Sequence, residues 1–300
     1  MSKEKSMHIR RKPSSVAADV TIYLILTLLA LACFLPMLYV LAVSLSSNVA
    51  ASAGRVTFWP VDFTLESYKY VANREAFWRS LLIALERVAI GVPVNLLLTV
   101  LAAYPLSKES SRFKARTFYA WFFFLTMIIN GGLIPQYMVV KETGLLGTIW
   151  ALILPGAVPV FNVVLMLNFF RQTPIELEEA AVVDGAGQWR ILFQIFLPVS
   201  KASLATVTLF SIVNHWNSWF DGIIFMKNTT QYPLQSYLHT VVVQKDLSLS
   251  ATTDWQVLSS VSEKTVKCAQ IFLAAVPIML IYPFLQRYFV KGLVIGSVKG

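Results

Sequence analysis

The chain has 300 residues, 56% of them hydrophobic and only 14% charged, with a mean hydropathy of +0.63. A soluble domain usually carries about 25% charged residues, so this balance excludes an ordinary soluble fold. The net charge of +9 does not mark a nucleic-acid binder, because the basic residues sit in short flanks of apolar runs, where they set membrane orientation.

A spanning helix needs about 20 mostly apolar residues. Segments near 20–46, 82–106, 117–139, 149–170, 201–224 and 269–290 meet that requirement. The expected fold class is therefore an all-α membrane protein of about six transmembrane helices. The tail 1–19 is basic, with Lys3, Lys5, Arg10, Arg11 and Lys12. The run after it exceeds the roughly 7–15-residue apolar core of a cleaved signal peptide, so it reads as an uncleaved first span. Glu86 and Arg87 fall in the first turns of the second span. They pair, face a partner or lie at the interface. "NGGLIP", from Asn130 to Pro135, interrupts the third span and predicts a kink or early exit. Cys33 and Cys268 lie in or beside apolar runs, offer neither a disulfide framework nor a metal spacing, and read as packed thiols.

Lysine and arginine in short loops set the orientation. The 107–116 loop carries Lys108, Arg112, Lys114 and Arg116 against Glu109, and the end of the last span with the tail after it carries Arg287, Lys291 and Lys299. Six spans put both termini, this loop and the 171–200 insert on one side, expected to be the cytoplasm. The division expected is a cytoplasmic tail over 1–19, a transmembrane domain over 20–290 containing the 171–200 loop, and a cytoplasmic tail over 291–300.

The insert itself reads as a short helix–turn–helix. Thr173 and Glu176 have the spacing of a capping box, and Pro174 suits the first helical position. Glu176, Glu178 and Glu179 fall in the first two turns, where acids favour the helix dipole. Gly185 and Gly187 can end that helix. A second helix from Gln188 would put Trp189, Leu192, Phe193 and Phe196 on one face. Such a knob either packs on the protein's own spans or docks in a soluble partner.

In the fifth span Asn214, Asn217, Ser218 and Asp221 recur at i, i+3, i+4 and i+7, a polar stripe on an apolar helix beside Trp216 and Trp219. Polar groups in a span face a bundle interior or an aqueous cavity, so these residues are candidates to line a solute pathway. The alternatives are an outer-interface tryptophan belt or packing on a partner subunit. Asn95, Asn130 and Asn162 are weaker candidates, each better read as an interhelical hydrogen bond.

"EAAVVDGAGQWRILFQIFLP" resembles the EAA loop of permease subunits of binding-protein-dependent ABC importers. Glu179-Ala180-Ala181, then Gly185, then Ile195, Leu197 and Pro198 keep that pattern's spacing. "NGGLIPQYMVVKETGLLGTIWALILPGAV", "WNSWFDGIIFM" and "QRYFVKGLVIGSVKG" look like the carbohydrate-uptake branch, which includes the maltose and alginate importers. The resemblance implies a type I permease fold and a loop that serves as a coupling helix seated on an ATP-binding subunit. On that basis Glu179, Ala180, Ala181, Asp184, Gly185, Ala186 and Trp189 would dock the ATPase. It also implies a second related permease, two ATP-binding subunits, an extracytoplasmic solute-binding protein, and an oligosaccharide or polysaccharide fragment as solute.

The chain has no Gly-Lys dipeptide and so no phosphate loop. No cofactor is expected on this chain; ATP and Mg would belong to the partner ATPases. No metal helix or nucleophile elbow occurs, so no metal site and no catalytic residue is assigned. A non-sugar solute, or an ion-coupled secondary transporter, is the rival reading, the latter expected to show inverted repeats that are not evident.

Overall fold

The structure, a computed structural model, describes residues 13–243 and 262–297. All regular structure among them is helical. The described residues fall into two compact units. The first joins the residues up to Val71 with those up to Phe272 in the last helix; the second takes Ala72 onward and resumes at Leu273.

In the first unit, α1 (Pro13–Ser44) is apolar and exposed over most of its length, as a helix facing lipid would be. Its last turn packs Ala42 and Val43 with Ala50 and Ala51 of α2 (Asn48–Ser52), Val56 and Cys268. Cys268 is thus buried, whereas Cys33 is exposed on α1 and not packed as expected. α3 (Glu66–Ala72) follows, its Tyr68 hydroxyl 2.7 Å from Ser44 Oγ.

The second unit is organised on α4 (Glu75–Ser107). This helix starts well before residue 82, where the apolar run begins. Glu75 and Arg79 form an ion pair one turn apart and extend the helix beyond its apolar part. α5 (Arg116–Ile128) and α6 (Leu133–Glu142) are bent by 114° at "NGG", the interruption expected from the two glycines. α7 (Ile149–Ile153) continues through a 3₁₀ turn at Leu154–Gly156, and α8 (Val160–Arg171) leaves it at 50°. The insert contributes α9 (Ile175–Val183), α10 (Gln188–Ile191), a π turn over Leu192–Phe196 and α11 (Leu197–Val199). α12 (Lys201–Asn217) then turns away by 84°. α13 (Phe220–Phe225), α14 (Leu234–Val243) and α15 (Glu263–Ser297) complete the described chain. Three helices are long and apolar enough to cross a membrane, or up to six spans if each bent pair counts as one.

α4 packs against both α8 and α12. The core there gathers Val100, Ala103 and Tyr104 with Val163, Met166, Phe170 and Val207. Close approach of α4 to α12 depends on Gly91: a β-carbon there would lie 2.6 Å from Nε2 of His215. Gly91→Val should therefore force the two helices apart. Overpacking of this kind typically costs about 1–3 kcal/mol, and a lowered melting temperature of the purified, assembled complex would report it. An unchanged melt would mean that α12 does not rest on α4 at this point.

Candidate functional site

Two groups of residues bear on function: the insert, and a polar cluster where α12 breaks.

α9 begins at Ile175 because Pro174, with no N–H and a ψ of 131°, takes the N-cap position. The expected capping box does not form; no side chain caps this helix. The other end follows the glycine rule. Gly185 has a φ of +76°, a left-handed conformation that costs a residue with a β-carbon. Ala186 N–H donates to Ala181 O at 2.9 Å and Gly185 N–H to Val182 O at 3.0 Å, the paired bonds of a Schellman turn. Gly187 has an ordinary φ of −73° and caps α10 instead.

The acids of α9 divide by face. Glu178 is buried and lies 2.8 Å from both Lys108 Nζ and Arg112 Nη1. Lys108 is buried as well, and its ammonium sits 4.1 Å from the centre of the Tyr104 ring and 4.2 Å from that of Phe196. Its contact with Glu178 is an ion pair. Burial pushes the Lys108 ammonium below the ordinary lysine range, against the opposing pull of Glu178. Tyr104 donates to Gln188 Oε1 at 2.9 Å. The C-terminal end of α4 is thereby fastened to both helices of the insert. Cavities of about 360 and 460 Å³ flank this fastening, so it acts as a strut between hollows.

Glu179, one residue on, points outward, 58% exposed and 3.8 Å from Arg112 Nη2. Ala180, Asp184 and Gly185 are exposed, Ala186 is half-buried and Ala181 is buried. Val183 is 86% exposed. Trp189 and Phe193 are exposed and stacked on each other with ring centres 6.2 Å apart. Leu192 and Phe196 are buried beside Ile191. The four residues expected on one face are therefore split. The π turn shifts the register, so Ile191, Leu192 and Phe196 turn inward while Trp189 and Phe193 stay outside. Glu178, Lys108, Arg112, Val182 and Val183 are functional candidates that spacing alone does not separate from their neighbours.

The polar stripe is also rearranged. α12 ends at Asn217, Ser218 is extended with a ψ of 122°, and the chain becomes helical again at Phe220. Asn217 and Asp221 are thus not one turn apart on a continuous helix. Asp221 forms an ion pair with Arg87, which is buried in α4, and Arg87 Nη1 donates to Asp221 Oδ1 at 3.1 Å. The same guanidinium donates to Ser218 O at 3.4 Å and to Leu152 O at 3.2 Å. Its Nε donates to Nδ1 of His215 at 3.4 Å, and His215 Nε2 lies 3.1 Å from Asn95 Oδ1. Asn95 Nδ2 donates to Gly156 O at 3.3 Å. Trp216 is buried, its indole N–H donating to Ala274 O at 3.2 Å. Trp216 and Asp221 are therefore engaged within the chain. Asn214, Asn217 and Trp219 are exposed, Trp219 stacking on His239 with ring centres 4.0 Å apart. Glu86 does not pair with Arg87: it is exposed while Arg87 turns inward. Asn162 Nδ2 meets Ser211 Oγ at 3.4 Å, an interhelical bond as expected, and Asn130 instead accepts from Gly132 N–H at 2.8 Å.

The profile of the family described as "Binding-protein-dependent transport system inner membrane component" matches residues 117–295. The chain belongs to this family. It is an integral inner-membrane permease subunit of an ABC importer, not an enzyme. It is 36% identical, over 94% of its length and 98% of the other's, to the polygalacturonan/rhamnogalacturonan transport system permease protein YtcP of Bacillus subtilis. To Protein LplC of the same organism it is 40% identical over 89% of each chain. Its fold matches one chain of a bacterial ABC transporter involved in the import of the acidic polysaccharide alginate. That match has a TM-score of 0.85 and 30% identity, covering 93% of this chain and 99% of the other.

Removing one partner of a buried ion pair costs about 3–5 kcal/mol, whereas replacing both by apolar residues is often near neutral. Arg87→Met and Asp221→Leu should each lower the yield and melting temperature of the permease complex. The double variant should recover much of the loss. A loss in the double variant equal to the sum of the two single losses would dissolve the pair as a stabilising unit.

Proposed function

We propose that this permease carries oligosaccharides derived from uronate-bearing polysaccharides and is driven through its 171–200 insert. The observation that carries the solute class is the full-length likeness to a polygalacturonan/rhamnogalacturonan permease, joined by the fold of an importer of acidic alginate. A second related permease completes the pathway, two ATP-binding subunits supply ATP and Mg, and an extracytoplasmic binding protein delivers the solute. The termini, the 107–116 loop and the insert face the cytoplasm. Asn214, Asn217 and Trp219 are the exposed residues offered to a hydroxyl-rich solute at the broken fifth span.

Two features of the insert support its role as the coupling helix. Its inner side is fixed to α4 through Glu178, and its outer side offers Glu179, Val183, Asp184, Trp189 and Phe193 to another chain. Force applied to α9 is then passed to the end of α4. The two faces separate by mutation. Glu179→Lys should abolish solute-stimulated ATPase in the assembled importer while leaving its melting temperature unchanged. Gly185→Val, strained by roughly 1–3 kcal/mol at a positive φ, should also uncouple. Glu178→Ala should lower both stimulation and melting temperature, because it leaves Lys108 without its carboxylate. Full stimulation in all three variants would remove the insert from the mechanism.

The solute class is tested in proteoliposomes holding all subunits and the cognate binding protein. ATP-dependent uptake of oligogalacturonides is expected, and neutral maltooligosaccharides should not compete. Uptake confined to neutral sugars would reverse the assignment.

A further inference from the structure

The smaller cavity beside the insert has an unbalanced charge. Lys108, Arg112, Arg116 and Arg171 line it, against Glu109 and Glu178. Four cations face two carboxylates, and Glu178 is already taken by Lys108 and Arg112. No described carboxylate lies within ion-pair distance of Arg116 or Arg171; Arg171 reaches only the backbone oxygen of Leu106, at 3.5 Å. Lys108 Nζ is buried and meets a single carboxylate oxygen, Glu178 Oε2 at 2.8 Å. The cavity thus holds two arginines with no acidic partner and a buried ammonium with N–H groups to spare. Its position is equally specific. The apolar part of α5 starts directly after Arg116, and that of α8 ends directly before Arg171. These cations therefore sit at the boundary between hydrocarbon and water. α5 has no side-chain cap at its start, so its dipole adds to the positive field there.

We propose that this cavity binds a phosphate-bearing anion, and that the phosphodiester headgroup of an anionic phospholipid supplies it. Arginine suits this chemistry because its planar fork of donors matches phosphate oxygens. Basic pockets between spans on the cytoplasmic side hold such headgroups. The lipid would clip together the ends of α4, α5 and α8 next to the strut that holds the insert, and so stiffen the frame against which the coupling helix acts. The inference rests on the cytoplasmic placement of this end in the reading above.

The test uses the complete importer, with permeases, ATPases and binding protein, in nanodiscs of phosphatidylcholine with or without phosphatidylglycerol. Native mass spectrometry of the released complex should show retained phosphatidylglycerol, and its presence should raise solute-stimulated ATPase. Arg116→Gln/Arg171→Gln should lower the apparent affinity for phosphatidylglycerol by about tenfold or more. Lys114→Gln removes a charge from the same loop outside the cavity and should change nothing. An impermeant thiol reagent against a cysteine placed at Gln188, in a background lacking Cys33 and Cys268, checks that the double variant keeps its orientation. In detergent, inorganic phosphate serves as the second probe. If it alone raises the melting temperature, lost again in the double variant, while no lipid is retained, the anion site stands and the lipid assignment falls. Equal losses in Lys114→Gln and the double variant would reduce the effect to surface charge and overturn the site. ATP-driven transport that is indifferent to lipid and phosphate would also overturn it while leaving the proposed function intact.

Discussion

A broken helix inside a membrane needs something other than water to meet its freed backbone groups, and here α4 supplies it. Irregular backbone at membrane depth is tolerated only where protein or an aqueous cavity satisfies it. Ser218 O sits at the break between α12 and α13, and Leu152 O sits at the end of α7 just before Pro155; both accept from Arg87. Gly156 O, in the turn between α7 and α8, accepts from Asn95. Two polar residues on one continuous helix thus hold the ends of segments that are far away in sequence. An arginine so deep in the protein is costly without a counter-charge. Asp221 provides that charge from the first turn of α13, which fixes where the chain resumes after its break.

The sequence showed where such needs arise more clearly than how they are met. Arg87 stands out because a charge inside an apolar run has few permissible settings. Gly185 was legible because a glycine after a helical pattern has one common use, and "NGGLIP" because two glycines before a proline cannot extend a span. The partner of Arg87 was not legible. Asp221 lies 134 positions away, and its spacing from Asn217 imitates a helical stripe that the break at Ser218 destroys. In the insert, Glu178 and Glu179 are equivalent as a pattern of acids. Which one turns inward depends on where Lys108 and Arg112 arrive from the end of α4. The split of Trp189 and Phe193 from Leu192 and Phe196 follows from a π turn, and periodicity built on 3.6 residues per turn has no means of anticipating one.

α4 also connects the two ends of the problem. Arg87 and Lys108 are 21 positions apart, about 31 Å at 1.5 Å per residue. One secures the break in the fifth span; the other meets the insert through Glu178. Lys108 and Glu178 are both buried and Arg87 is buried against a half-buried Asp221, so these contacts are less open to the salt screening that weakens surface pairs. α4 thus carries one charge contact at Arg87 and another at its C-terminal end. The exposed Glu179 adds little to this frame, being 3.8 Å from a half-exposed arginine.

This arrangement bears on how an acidic solute would be handled. At the broken fifth span the exposed groups are amides and aromatic rings: Asn214, Asn217, Trp219 and Phe220. The cation buried beside them, Arg87, is already neutralised by Asp221 and occupied by two carbonyl oxygens. A uronate reaching this point would meet hydroxyl- and ring-binding groups but not that guanidinium. Weak contacts of this kind favour passage, since a free cation at the same place would hold a polyanion and slow its release. Arg87, held by Asp221 and two carbonyl oxygens, serves the frame of the broken span.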